Sequence, residues 1–253
     1  MRLKQERSSG ITTAHIRTWA LVCIAVGMAG VVLQNVLGDV STKAAAVATL
    51  TDEKTGILQG VALICIGVYS CAVPLFALLL VEGAIHTRDL SKYLIRVGAV
   101  ALISEVPFDL ATRGAVLDTT TLNPAFGAVL ALVMLMFFQR YPDNSAGSVI
   151  LRVIITVAMV FWSVYILPIE EGPCLVLITS ALWNFRENPK LRLVAGIVVG
   201  AACGLIKIFY VATPLAMLLV HFYNGEKGND FKAGRLVAYP GILLLAVLAS
   251  YVF

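Results

Sequence analysis

Two pairs of ionisable residues stand four apart inside apolar sequence: Glu82 with His86, and Glu105 with Asp109. On a helix that spacing puts both members on one face. A carboxylate beside an imidazole orients the ring and raises its basicity, which suits His86 to act as a general base. Glu105 and Asp109 flank Pro107, which weakens a helix and frees backbone carbonyls, a device found beside cavities. Arg88, Lys92 and Arg96 follow His86 and offer cations to a phosphate-bearing ligand, with Glu82 beside them. Each group also has a plainer reading. The first can be an inner-face loop with an intrahelical pair, and the second a polar helix end running into Gly114.

These charges demand explanation because of their surroundings. An ionised side chain near the centre of a membrane helix costs about 2.5–3.5 kcal/mol, so such residues face a bundle interior or a wet cavity. The chain has 253 residues, 59% hydrophobic and 13% charged, with mean hydropathy +0.90. Soluble domains carry about 25% charged residues. The expected class is therefore an all-α, polytopic membrane bundle forming one domain over residues 1–253, with the lipid bilayer as its first partner. The net charge of +4 is dispersed over short loops, which excludes a nucleic-acid patch. The five cysteines lie in apolar runs without metal-ligand spacing, and no metal site, Walker loop, nucleophile elbow or dinucleotide fingerprint is present.

Spans of about 20 apolar residues are predicted near 18–37, 56–81, 90–110, 123–139, 148–167, 172–185, 191–207, 208–222 and 233–252. The stretch from Leu191 to Tyr223 is split because Lys207 and Pro214 would otherwise sit inside one span. Lys207 is then expected to snorkel or to pair with Glu170 or Glu171. Basic residues fall in alternate loops: Arg2, Lys4, Arg7 and Arg17; Arg88 and Lys92; Arg140 and Arg152; Arg186, Lys190 and Arg192; Lys227, Lys232 and Arg235. Acids dominate the others, at Asp39, Asp52, Glu53, Asp118, Glu170 and Glu171. The positive-inside rule then predicts about nine helices with a cytoplasmic N-terminus. The first span is full length without a small-residue cleavage site, so it reads as retained. His221 reads as a satisfied core histidine, and residues 223–228 as a tight turn.

Several separate patterns resemble the TraX family of integral membrane proteins. They are Pro74 and Phe76 followed by Val81, Glu82, Gly83, His86 and Thr87; then Lys92, Tyr93 and Arg96; then Ser104, Glu105, Pro107, Phe108 and Asp109; and a YNG-x-x-G pattern from Tyr223 to Gly228. The resemblance implies a bacterial plasma-membrane acyltransferase, with acetyl-CoA as donor and an amine of a membrane-held acceptor such as a pilin-like protein. It places His86, Arg88 and Glu105 in the polar core of the site, with Asp109 in support. The chain departs from the family pattern in three places. An Asp-His pair of the first span aligns with Gly27 and Met28, a Gly-Arg pair with Tyr69 and Ser70, and the histidine of a last-span YP-x-H with Ile242. Of the groups able to take an amine proton, His86 and Glu105 remain. A membrane acyltransferase and a catalytically lapsed binding relative are both expected from these residues.

Overall fold

The computed structural model describes residues 10–44, 52–228 and 234–252. The charges read at Arg2, Lys4, Arg7 and Lys232 lie outside the described residues, as do the side chains of Asp39, Asp52, Glu53 and Arg235. The described chain is helical throughout: α1 (Thr13–Ala44), α2 (Asp52–Ser70), α3 (Ala72–His86), α4 (Leu90–Arg113), α5 (Pro124–Phe138), α6 (Ala146–Phe161), α7 (Gly172–Asn184), α8 (Pro189–Cys203), α9 (Thr213–His221) and α10 (Gly234–Val252). A π turn (Trp162–Ile166) extends α6, and a 3-10 turn (Ile208–Ala212) precedes α9.

Helix starts follow local chemistry. Asp89, Asn123, Ser145 and Asn188 each accept a hydrogen bond from a backbone N–H of the first turn of α4, α5, α6 and α8. Proline opens α5, α7, α8 and α9, where its missing N–H costs nothing. Helix α4 stops at Gly114 in the left-handed conformation, φ 68°. Lys207 is extended at the break between α8 and the 3-10 turn, so the long stretch divides where the charge and Pro214 require.

Helix α6 shows what the bundle faces. Ser148, Arg152 and Thr156 repeat every fourth residue and are buried, while Ile150, Val153, Ile154 and Val157 are exposed. A polar stripe turned inward and an apolar stripe turned outward suit a lipid surround and would be costly in water. Three helical stretches are long and apolar enough to cross a membrane by themselves: Thr13–Gly38, Gly56–His86 and Ala146–Ile166. The protein is a helical membrane protein.

The remaining helices are shorter for a reason visible in the packing. Helix α7 has 13 residues, a length of roughly 20 Å at 1.5 Å per residue, and nearly all of it is buried against α3, α5, α6 and α8. It fills the centre of the bundle. Helix α3 packs on α7, α1, α9 and α5. Helix α4 leans on α5 and α10 and stands off from α3. The gap between α3 and α4, closed on one side by α1, is the main cavity.

The ends of the bundle differ. One end carries Arg88, Lys92, Arg140, Arg186 and Lys190 and is called the basic end below; the other carries Asp118, Glu170 and Glu171 and is called the acidic end.

Candidate functional site

A cavity of about 1050 Å³ runs from the basic end into the bundle between α1, α3 and α4. That is large for a ligand site, whose usual range reaches about 1,000 Å³. Its middle is aliphatic and aromatic, with Leu21, Ile24, Val73, Phe76, Leu79 and Val97 among the walls. Its rim holds Arg17, Glu82, His86, Arg96, Tyr223 and Lys227, and deeper polar groups come from Tyr69, Tyr239 and Glu171.

At the rim, His86 Nδ1 lies 3.0 Å from the Glu82 carbonyl oxygen and 3.3 Å from Glu82 Oε2. A carbonyl oxygen only accepts, so Nδ1 carries the proton and Nε2 is left as the basic nitrogen. Glu82 therefore orients the ring twice, through backbone and carboxylate. A smaller cavity of about 360 Å³ also opens on Glu82 and His86, and Arg186 and Arg192 line it. Arg186 stacks over Trp183 at 4.5 Å and donates to the Trp183 carbonyl at 3.0 Å. Glu82 and His86 thus lie on the wall between two cavities.

The rim is built by a stitch distant in sequence. Ile11 N donates to Phe222 O at 2.9 Å, Thr13 N to Glu226 O at 2.8 Å and Ala14 N to Lys227 O at 3.1 Å. Gly225 and Gly228 both take positive φ, 78° and 67°, and a Cβ on Gly228 would meet Thr12 Oγ1 at 2.4 Å. Glycine is required there for both reasons. Thr13 Oγ1 and Tyr223 Oη lie 3.0 Å apart. Burial first, and Glu82 nearby, push the Tyr223 phenol up to about 12.

The structure brings Glu82, His86 and Arg96 together on the main cavity and leaves Arg88, Lys92, Glu105 and Asp109 off its wall. Arg88 is exposed at the turn. Lys92 Nζ pairs with Asp89 Oδ2 at 3.1 Å in solvent. The backbone N–H and the ammonium of Lys92 hold the Asp89 carboxyl below its usual range.

Glu105 and Asp109 share the buried face of α4 but serve the following loop. Asp109 Oδ1 accepts from Arg113 Nη1 at 2.8 Å, and its Oδ2 accepts from the Asp118 amide at 2.8 Å. Arg113 bonds on to Thr121. Glu105 Oε2 accepts from the Asn123 amide at 3.1 Å and from Asn123 Nδ2 at 2.5 Å, while Asn123 caps α5. Glu105 Oε1 is buried without a hydrogen-bond partner among the described residues.

At the deep end Lys207 Nζ pairs with both Glu170 and Glu171, the second at 3.2 Å. Glu171 is 5% exposed and sits at φ 60°, a left-handed backbone rare for a residue with a side chain. Sequence reasoning did not single out Arg17, Tyr69, Glu171 and Lys227 as site residues. They come from α1, α2 and two loops, and only the fold places them on one cavity.

The three departures from the family pattern also meet in space. Met28, Ile242, Tyr69 and Tyr239 belong to one apolar cluster around Phe108 and Leu243. A Cβ on Gly27 would lie 2.4 Å from Tyr69 Cβ, so the tyrosine occupies the room a side chain at position 27 would need.

Comparison with known proteins agrees with the family resemblance read from the sequence. A relative in Dichelobacter nodosus, described as "Probable fimbrial assembly protein FimC, serogroup H1", is 28% identical over 190 residues, covering 66% of this chain and 73% of that protein. No solved structure matches. The model of the family described as "TraX protein" matches residues 41–249, and the chain belongs to the TraX family.

Proposed function

We propose that the protein is a TraX-like acyltransferase of the bacterial plasma membrane that moves an acetyl group from acetyl-CoA to an amine of a membrane-held acceptor, such as a pilin-like protein. The observation that carries the reading is His86: its Nδ1 is fixed by Glu82, its Nε2 is the basic nitrogen, and it stands at the junction of two cavities. The fimbrial assembly role printed for the Dichelobacter relative supports the acceptor class.

In this scheme the acceptor nitrogen attacks the thioester carbonyl carbon. The C–N bond forms, the C–S bond breaks and the sulfur leaves as thiolate. His86 Nε2 takes the proton the nitrogen sheds and returns it to the thiolate. Arg17, Arg96 and Lys227 give the rim the cations that a phosphate-bearing donor requires. Arg88 and Lys92, at the same end, attract the anion at longer range.

The test is transfer of label from [14C]acetyl-CoA to phenylalaninamide by the purified protein in nanodiscs. His86→Ala abolishes transfer under this reading; transfer at the parent rate removes His86 from the mechanism.

A second reading is favoured by one observation. The positions that depart from the family pattern gather into a single apolar cluster instead of scattering. A site lost as a unit suits a catalytically lapsed relative that binds a membrane ligand or partner. It yields no acyl transfer from any donor.

A further inference from the structure

We propose that the site also takes a long-chain acyl thioester as donor, with the hydrocarbon chain lying in the apolar middle of the main cavity. The inference extends the transfer proposed above to a further substrate and rests on that reading.

The cavity holds far more apolar space than an acetyl group uses. From His86 down to Val73 it follows α3 for roughly 20 Å at 1.5 Å per residue. Its walls there include Leu21 and Ile24 of α1, Phe76 and Leu80 of α3, Val100 of α4 and Ala128 of α5. Among the described residues no polar side chain interrupts this stretch before the floor at Tyr69 and Tyr239. Leu21, Phe76, Val100 and Ala128 stay partly accessible although they line the inside of the bundle. Protein interiors close such gaps, and a dry void of about 1050 Å³ would cost more than the whole stability of a typical domain. Water finds too few partners on apolar walls to fill it. A flexible hydrocarbon chain suits both the length and the polarity.

The order of groups along the cavity matches their order in an acyl thioester. Arg17, Arg96 and Lys227 stand at the mouth, where the nucleotide phosphates of coenzyme A would lie. His86 marks the start of the apolar stretch, where the thioester carbonyl would lie, and the chain then runs past Leu80, Phe76 and Val73. At the floor Glu171 is paired with Lys207 Nζ at 3.2 Å, so its charge is met from outside the shaft. The chemistry keeps its balance: the acceptor nitrogen bonds to the acyl carbon, the C–S bond breaks, and His86 carries the proton from the nitrogen to the departing thiolate.

The experiment compares lauroyl-CoA with acetyl-CoA on the full-length protein in nanodiscs, reading both binding and acyl transfer to phenylalaninamide, with empty nanodiscs setting the partition background. Lauroyl-CoA is expected to bind at least about tenfold more tightly than acetyl-CoA, because its further methylenes are buried in the shaft, and to be transferred. Val100→Phe and Ala128→Phe, from two different helices, narrow the shaft; each is expected to remove most of that preference while leaving acetyl-CoA affinity in place, and either one suffices if the other does not fold. Equal binding of the two thioesters, or a preference that both folded variants keep, overturns the chain site. Lauric acid displacing lauroyl-CoA as effectively as unlabelled lauroyl-CoA does would assign the shaft to a fatty acid of the bilayer and overturn the donor. If the shaft sets a chain-length preference but neither acyl group is transferred, the chain site stands and the transfer reading falls; acetyl transfer without any chain-length preference does the reverse.

Discussion

The two ends of one cavity are built by opposite rules. At the rim Arg17, Arg96 and Lys227 outnumber Glu82, and most groups there reach solvent. At the deep end Glu171 is buried and paired with the partly exposed Lys207, with Glu170 and the phenol of Tyr210 close by. Solvent screens the rim charges, so they act by attraction at range and can be exchanged at modest cost. The buried end works through fixed hydrogen bonds in a low dielectric, where a missing partner is expensive. The difference teaches where substitutions are costly: the rim holds charges that solvent screens, and the deep end holds a buried carboxylate whose partners are fixed.

That contrast can be broken most directly at His86. His86→Ala is expected to lower acyl transfer by roughly 10²–10⁴-fold, the usual worth of general acid–base catalysis, with donor binding intact in a filtration assay. A loss of donor binding as well would make His86 part of the anion-recruiting rim. At the deep end, Gly27→Asp is expected to cost about 1–3 kcal/mol through overpacking against Tyr69, and Tyr69→Ala in the same chain should recover part of it in a thermal-unfolding series. Asp109→Ala leaves the Asp118 amide and Arg113 short of partners and should lower stability by about 1–3 kcal/mol without changing coenzyme A affinity. Arg96→Ala should weaken coenzyme A by up to about tenfold, more at low salt than at high, since rim charges are screened; a salt-independent loss would show that the rim is as buried as the deep end.

The smallest effect concerns pH. The Thr120 backbone N–H and hydroxyl hold the Asp118 carboxyl below its usual range. Its folded-state pKa is depressed, so its contribution is present above the unfolded value near 3.9 and is lost as pH falls through the folded one. Asp118→Asn should flatten the acid side of a melting-temperature profile slightly, below about pH 4, and leave neutral pH unchanged.

Much of the architecture was legible because membrane helices announce themselves by length and by the placement of charge. The break at Lys207 followed from one misplaced cation and Pro214, and the structure pairs that cation with both acids that the sequence offered. Glu82 and His86 meet because four residues is one helical turn. The same rule found that Glu105 and Asp109 share a face, but it could not say what that face meets. Their partners, Asn123 and Asp118, lie on a loop whose path depends on Gly114 and on Arg113 binding Thr121. The cavity was illegible for a larger reason: α3 and α4 are consecutive yet splay apart, and α1, α5, α7 and α10 complete the wall.

The stitch between Ile11–Ala14 and the loop after α9 has a consequence for biogenesis. Helix α1 is synthesised long before the loop after α9, but the backbone groups that seat its start belong to residues 222–227. The rim cations Arg17 and Lys227 therefore cannot be assembled until the loop after α9 has been synthesised. Translation order itself delays the rim of the cavity, so a chain stalled before residue 222 would hold its helices without that seat for α1.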